Sequence, residues 1–171
     1  MLYKIKKNRH YSQWTMPQLH LHASGFKIIV KFSENCIYNK SELGSDWADI
    51  NKLYGLGFGL NHHHNSFRIG WRAEGKKIHL FSYWYDNHKL NYDSIGIINV
   101  NEEYAITVNF GTKKTNVTVF NKNSITYMYN TIIFNRYNKC FFGFVLNPYF
   151  GGNKTAPHDM EINILKSNIL N

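Results

Sequence analysis

Apolar and polar residues alternate with a period of two in short runs along the chain, and Gly and Asn separate the runs. This alternation is typical of half-buried β-strands, and no long segment shows the 3.6-residue period of an amphipathic helix. We predict strands at residues 25–32, 66–73, 77–85, 94–100, 103–110, 115–121, 141–147 and 160–165. A turn is predicted at 86–88, and 46–53 is predicted to hold a helical turn with Asp46 as its cap.

Two of these strands carry large side chains on both faces. In 66–73 the apolar face is formed by Phe67, Ile69, Trp71 and Ala73, and the other face by Arg68, Gly70 and Arg72. In 77–85 one face is formed by Ile78, Leu80, Ser82 and Trp84, and the other by His79, Phe81, Tyr83 and Tyr85. A buried inner face and an aromatic, basic outer face predict a sandwich whose outer surface binds a ligand.

The predicted fold class is all-β, a two-sheet antiparallel β-sandwich, because about nine or ten short strands occur with almost no helix. A chain of 171 residues corresponds to one domain. We therefore expect a single domain over 1–171, with an N-terminal arm or edge strand at 1–20, the sandwich at 21–166 and a tail at 167–171.

The chain is basic, with 20 Lys and Arg against 11 Asp and Glu and a net charge of +9. Such a surface favours nucleic acid, acidic polysaccharide, an anionic membrane or an acidic protein, or else reflects a general compositional bias toward Lys and Asn. Nucleic-acid binding would rest on charge alone, because the sequence has no aromatic and glycine RNA motif and no recognition helix. We therefore expect no nucleic-acid partner.

The N-terminal residues lack the apolar core of a signal peptide, and no stretch approaches the length of a membrane span. We expect synthesis in the cytoplasm and no membrane partner. A virion component released by lysis would also fit this expectation.

Cys36 and Cys140 form no metal spacing and no redox motif. They either pair or, as we prefer, stay free and buried. No cofactor is expected.

The histidine run 62–64 looks like a metal site at first sight. Neighbouring residues of a strand point to opposite faces, so at most His62 and His64 could converge, and no further ligands complete a zinc site. We prefer a polar turn whose imidazoles hydrogen-bond the loop.

His158-Asp159 resembles half of a catalytic dyad, but no nucleophile motif supports that role. We expect Asp159 to hold its loop in place through hydrogen bonds to the backbone.

The outer face of the two strands is the candidate ligand site. Arg side chains bind carboxylates or sulfates, aromatic rings stack on the apolar face of sugars, and His or Tyr can transfer protons. The candidate ligand-binding residues are Arg68, Arg72, His79, Tyr83, Trp84 and Tyr85. The alternative is an ordinary solvated face, or one covered by a loop or a partner subunit.

Two segments carry a family resemblance: DWADINKLYGLGFGLNHHHNSFRIGWR at 46–72 and NPYFGGNKTAPHDMEINI at 147–164. Together they resemble uncharacterised β-sandwich proteins of gut Bacteroidota and their tailed phages. Their layout resembles the concanavalin A-like jelly roll of lectins, laminarinase-type glycosidases and alginate-lyase-type enzymes. The resemblance covers about residues 20–166, and it implies a jelly-roll fold and a preference for carbohydrate.

Alginate-lyase-type sandwiches place an Arg-rich strand, a Gln-Ile-His strand and a late Tyr-containing strand on one concave face. Arg68 and Arg72 are similar to the first element, 77–79 (Lys-Ile-His) to the second, and Tyr149 is a loose match to the third. The chain departs from that pattern in three ways. Lys replaces Gln, the first two elements are close in sequence, and the late motif differs.

The sequence therefore leaves two functions open. The first is a non-enzymatic, lectin-like sandwich that serves as a phage virion structural, decoration or tail-associated protein, with other virion subunits, itself or an acidic glycan as partner. The second is a lyase or hydrolase on an acidic polysaccharide. In the second, His79 would be the base, Tyr83, Tyr85 or Tyr149 the acid, and Arg68 and Arg72 would neutralise a carboxylate.

Overall fold

Twelve β-strands form the protein, seen in a computed structural model that describes residues 1–13, 16–121, 123–136 and 139–171. The strands are β1 (Leu2–Ile5), β2 (Leu19–Leu21), β3 (Gly25–Phe32), β4 (Asn51–Gly57), β5 (Asn65–Glu74), β6 (Lys77–Asp86), β7 (Lys89–Asn99), β8 (Tyr104–Phe110), β9 (Thr115–Asn121), β10 (Thr126–Ile132), β11 (Phe142–Leu146) and β12 (Met160–Leu170). The short helix α1 (Lys40–Leu43) lies between 3₁₀ turns at Glu34–Cys36 and Gly44–Ala48.

The strands form two antiparallel sheets of six, which we call the back sheet and the front sheet. The back sheet has the order β1-β12-β3-β8-β9-β10, and the front sheet has the order β2-β11-β4-β5-β6-β7. The inner faces of both sheets pack on one core, as the alternation of buried and exposed positions requires. The predicted all-β sandwich is confirmed.

The inner face of β5 lies at the centre of the core. Phe67, Ile69 and Trp71 are fully buried there, as the sequence pattern predicts. The Trp71 ring lies 5.2 Å from the Phe32 ring of the back sheet, and the Phe67 ring lies 5.6 Å from the Phe110 ring. Burying each such side chain contributes about 1.5–3 kcal/mol, so this row supports the strand whose other face carries the ligand candidates.

Strand β4 corrects the predicted helical turn at 46–53. The segment is a 3₁₀ turn at Gly44–Ala48, which contains Asp46, followed by a strand from Asn51. The register shifts between Lys52 and Tyr54, and such a bulge breaks the period of two that would reveal a strand in the sequence. The capping residue in this region is Asn39, at the start of α1.

Residues 167–170 are not a tail, because β12 continues to Leu170 and pairs with β3 as far as Gly25. A register shift between Ile164 and Lys166 hides this extension in the sequence. The predicted arm at 1–20 holds the edge strand β1 and the start of the edge strand β2, and its residues 14 and 15 lie outside the described residues. Cys36 and Cys140 are both free, but only Cys36 is buried as predicted, because Cys140 is partly exposed.

Candidate functional site

A row of four residues crosses the outer face of the front sheet, and two of them, Arg68 and Tyr83, line a cleft. Tyr92, Tyr83, Arg68 and Gly55 lie opposite one another on β7, β6, β5 and β4. Gly55 is needed at this place, because a Cβ there would overlap the Phe67 carbonyl and the Arg68 stem. Because Gly55 has no side chain, the Arg68 side chain can pack directly against the β4 backbone.

Three segments from distant parts of the chain form the walls of the cleft, which encloses about 660 Å³. They are 11–13 from the N-terminal segment, 62–63 from the loop before β5, and 147–149 after β11. The last segment is held in place by two backbone hydrogen bonds between Lys52 and Tyr149, of 2.8 and 2.9 Å. The Tyr149 ring also stacks on His10 and contacts Tyr11 edge-on.

Arg68 is a buried cation at the base of this cleft. It is 7% exposed, and its Nε has no hydrogen-bond partner. None of the ion pairs formed within the described residues includes Arg68. Burial lowers the pKa of the guanidinium. A buried charge without a counter-charge is costly, and an anion bound at Arg68 would offset that cost.

Lys52 is a second cation in the cleft. Its ammonium lies 4.7 Å from the centre of the Tyr83 ring and 5.9 Å from that of Tyr149, within cation–π range. Burial, and then repulsion from Arg68, lower the pKa of Lys52 to about 8, while Asp49 acts in the opposite direction. Lys52 is therefore a lysine that gains and loses its proton close to neutral pH.

His62 and His63 form one wall of the cleft. Their rings contact each other at 4.3 Å, and the His63 ring meets Tyr85 edge-on at 5.0 Å. Burial and the charge of Arg68 lower the pKa of His62 to about 4, and the same two causes lower the pKa of His63. Both imidazoles are therefore neutral at pH 7.

Two tyrosines of the cleft, Tyr83 and Tyr149, keep their protons over a wider pH range than an exposed tyrosine. Burial raises the pKa of Tyr83 and of Tyr149 above the ordinary value. Of the described residues that line the cleft, none carries a negative charge. The cleft therefore offers two cations, neutral hydrogen-bonding groups and aromatic rings to a ligand.

Four of the residues that the sequence offers for ligand binding or proton transfer come together in the cleft: Arg68, Tyr83, Tyr85 and Tyr149. The first three share the outer face of two paired strands, as their alternation predicts. Tyr149 reaches them from a loop more than sixty positions further along the chain, and only the tertiary fold brings it next to them.

Arg72 and His79 lie outside the cleft, which corrects their grouping with Arg68. They face each other four residues further along the same strands, about 13 Å from the Arg68–Tyr83 pair. The two nitrogens of His79 are 2.7 Å from Glu74 and from Ser94, and the guanidinium of Arg72 is 3.8 Å from Glu74. His79 is therefore engaged in the sheet and is not placed to act as a base beside Arg68.

Trp84 is on the opposite face of β6 and packs against the core, so it cannot stack on a ligand in the cleft. His62 and His64 do not converge either, because 62–64 is a turn in which His64 stacks on His88. Within the described residues, no group of three or more His, Cys, Asp or Glu is placed to hold a metal ion.

The loop residue Asp159 has the structural role that the sequence favours. Its carboxylate accepts a hydrogen bond from the backbone amide of Lys7 and pairs with the Lys6 ammonium at 2.7 Å. The neighbouring His158 contacts Glu42 and the Asn35 carbonyl. The pair therefore joins the last strand to other loops and lies apart from the cleft.

Lys52, His63 and Tyr11 are cleft residues that the sequence reasoning misses. Lys52 is hidden by the bulge of β4, and Tyr11 lies in a segment without strand alternation. The only sequence signal for His63 is its place in the histidine run, and that signal suggests a metal site.

Within the described part of the chain, no helix has the length and hydrophobicity to cross a membrane.

The fold is similar to solved structures of diverse function. An alginate lyase from Klebsiella pneumoniae matches 85% of this chain with a TM-score of 0.56 and 8% identity. Scytalido-glutamic peptidase matches 96% with a TM-score of 0.56 and 8% identity, and tailspike protein 2 of bacteriophage CBA120 matches 95% with a TM-score of 0.51 and 9% identity.

These similarities establish the jelly-roll type of sandwich and go no further, because all identities are low. The chain spans 59% of the alginate lyase, 81% of the peptidase and 24% of the tailspike domain. No family model matches the sequence, and no curated protein matches it either. The function therefore has to be argued from the cleft itself.

Proposed function

We propose that the protein binds an acidic polysaccharide in the cleft, as a lectin-like β-sandwich. The observation that carries this proposal is Arg68, which is only 7% exposed and has no carboxylate partner among the described residues. A guanidinium donates two parallel hydrogen bonds to a carboxylate or sulfate, and low polarity around it strengthens them.

The rest of the cleft matches a sugar that carries such a group. Lys52 supplies a second positive charge, and the rings of Tyr149 and Tyr11 offer faces and edges for the apolar side of a pyranose. Ring contacts give sugar selectivity that charge alone does not, because a bare polyanion has no apolar face to stack. The net charge of +9 further favours the approach of an acidic polymer.

Titration calorimetry with four polymers of matched length tests this proposal. A polyuronate, a sulfated glycan, a neutral glucan and single-stranded DNA separate sugar recognition from plain charge. We expect binding of one or both acidic glycans at physiological salt, and no binding of the neutral glucan. DNA binding equal to that of the acidic glycans, with the same steep salt dependence, would contradict the proposal.

Assembly into a phage virion, as a decoration or tail-associated protein, remains a prediction. The tailspike similarity supports it only at the level of fold. Mass spectrometry of purified particles from the source is its test. The prediction requires the protein in stoichiometric amounts in the particle, and its absence from particles while abundant in the lysate would refute it.

A second candidate function is a lyase, favoured by the proton-transfer groups beside Arg68. In such a reaction Arg68 holds the uronate carboxylate, and a base removes the proton from the carbon next to it. The electron pair forms a carbon–carbon double bond, the glycosidic C–O bond breaks, and an acid protonates the leaving oxygen. Neutral Lys52 or His62 could serve as the base and Tyr149 as the acid.

The lyase candidate predicts a rise in ultraviolet absorbance from the unsaturated product when polyuronates are added. We expect Tyr149→Phe to abolish this rise while leaving polymer binding intact, because only the proton donor is removed. A flat absorbance trace with polymers that bind tightly would leave the binding function and eliminate the lyase.

A further inference from the structure

The cleft does not end at Lys52 and Tyr83. On their far side, a second depression of about 250 Å³ continues across the outer face of the front sheet. Lys52, Tyr83 and Gly152 line both depressions, so they form the boundary between two parts of one groove. The second part reaches the edge strand β7 at Tyr92 and Leu90.

The two parts differ in charge. The first holds Arg68 and no acid among its described lining residues, whereas the second holds Arg72 together with Asp49. Arg72 is already engaged, because its guanidinium lies 3.8 Å from Glu74 and donates to the Ala48 carbonyl. In the second part, the Asp49 carboxylate therefore offsets the positive charge of Lys52 at the boundary, and it accepts hydrogen bonds from hydroxyl groups.

Tyr92 presents a large free ring in the second part. It is 61% exposed, and it is fixed on one side by an edge-on contact with Phe81 at 6.3 Å. Leu90, two residues away on the same face, is 43% exposed. An exposed ring beside an apolar side chain and a hydroxyl acceptor matches the apolar face and hydroxyl rim of a pyranose.

We propose that the groove holds a polysaccharide along its length, with an acidic sugar at Arg68 and a neighbouring sugar stacked on Tyr92. This inference rests on the proposed binding function and specifies its substrate as an internal stretch of polymer. The distance supports it, since Tyr92 and Arg68 lie two strands apart in one row, about 10 Å from each other. A single sugar is too small to contact both.

Calorimetry with oligouronates of increasing length tests the inference. We expect the affinity of the unaltered protein to rise about tenfold between the disaccharide and the hexasaccharide, as the second part becomes occupied. Tyr92→Ala should remove this rise and leave disaccharide binding unchanged. Tyr129→Ala is the matched control, because Tyr129 is 63% exposed on β10 of the back sheet.

The outcomes separate this inference from the function on which it rests. Equal affinity for all lengths, or an unchanged length dependence in Tyr92→Ala, would overturn the extended groove while oligouronate binding still stands. Failure of every oligouronate and of the polymer to bind would overturn the proposed function itself. A loss of the length dependence in Tyr129→Ala as well would show a general effect of tyrosine removal, and it would also overturn the inference.

Discussion

Arg68 and Tyr83 lie directly opposite each other on β5 and β6, and both side chains are more than nine-tenths buried although they lie on the outer face of their sheet. Loops from three parts of the chain cover them. The front sheet is therefore covered on its outer face at the place where a basic and an aromatic residue lie side by side.

The charge of Lys52 makes ligand binding dependent on pH. Its pKa is about 8, so the free protein loses this positive charge as the pH rises through that value, whereas an exposed lysine keeps its charge to about 10.4. We expect the affinity for an acidic polymer to fall by several-fold between pH 7 and pH 9. Calorimetry across this range measures the effect.

The matched variant for that prediction is Lys52→Arg, which keeps its charge above pH 9. Its affinity should stay flat over the same range. If the unaltered protein and Lys52→Arg showed the same decline, another group would be responsible for the pH dependence.

Gly55 is predicted to be essential for both stability and binding. A Cβ at this position would overlap the Phe67 carbonyl and the Cα of Arg68, which belong to backbone that cannot easily move. We expect Gly55→Ala to lower the free energy of unfolding by about 1–3 kcal/mol and to weaken ligand binding. Urea denaturation followed by tryptophan fluorescence gives the first quantity.

Gly57→Ala provides the comparison on the same strand. Its nearest new contact would be the His62 side chain at 3.3 Å, which belongs to a loop that can adjust. We expect less than half of the destabilisation found for Gly55→Ala. A Gly57→Ala variant as unstable as Gly55→Ala would show that the loss comes from alanine in β4 generally.

The two cysteines should differ sharply in reactivity. Burial raises the pKa of Cys36 to about 12, and its thiol donates a hydrogen bond to the Glu161 carbonyl, whereas Cys140 is partly exposed. Because the thiolate is the reactive form, a disulfide reagent at pH 8 should modify Cys140 and spare Cys36 until the protein unfolds. Rapid modification of both thiols in the native unaltered protein, or of the one remaining thiol in native Cys140→Ser, is the contrary result.

The sandwich could be predicted because alternation is a local property. The inner faces of β5 and β6 and the bounds of β3 follow from residues that are adjacent in the chain. Of the strands that the pattern misses, β1 and β2 are short and β4 has a register shift between Lys52 and Tyr54, whereas β10 is regular but largely exposed and lacks a clear apolar face. A one-residue bulge reverses the facing of every later side chain, so a period of two cannot show it.

The ligand site could be predicted only in part, because alternation is local and the walls of the cleft come from distant parts of the chain. Alternation places Arg68 and Arg72 on one face, but it does not say which of them the loops cover. That choice depends on Tyr149 pairing with Lys52, a contact between residues far apart in sequence. Trp84 is the opposite case. It is aromatic and adjacent to Tyr83 in the chain, which suggests a ligand contact, but its side chain packs against the core.

The most direct test of the central claim is the affinity of an acidic polysaccharide for Arg68→Gln and for Arg9→Gln. Both variants lose one positive charge, but Arg9 is exposed and does not line the cleft. We predict that Arg68→Gln weakens binding by about 10- to 100-fold, corresponding to the loss of a charge-assisted hydrogen-bonded contact, and that Arg9→Gln changes it by about twofold or less. Equal losses in the two variants, with both proteins folded, would contradict the claim that the cleft recognises its ligand through Arg68.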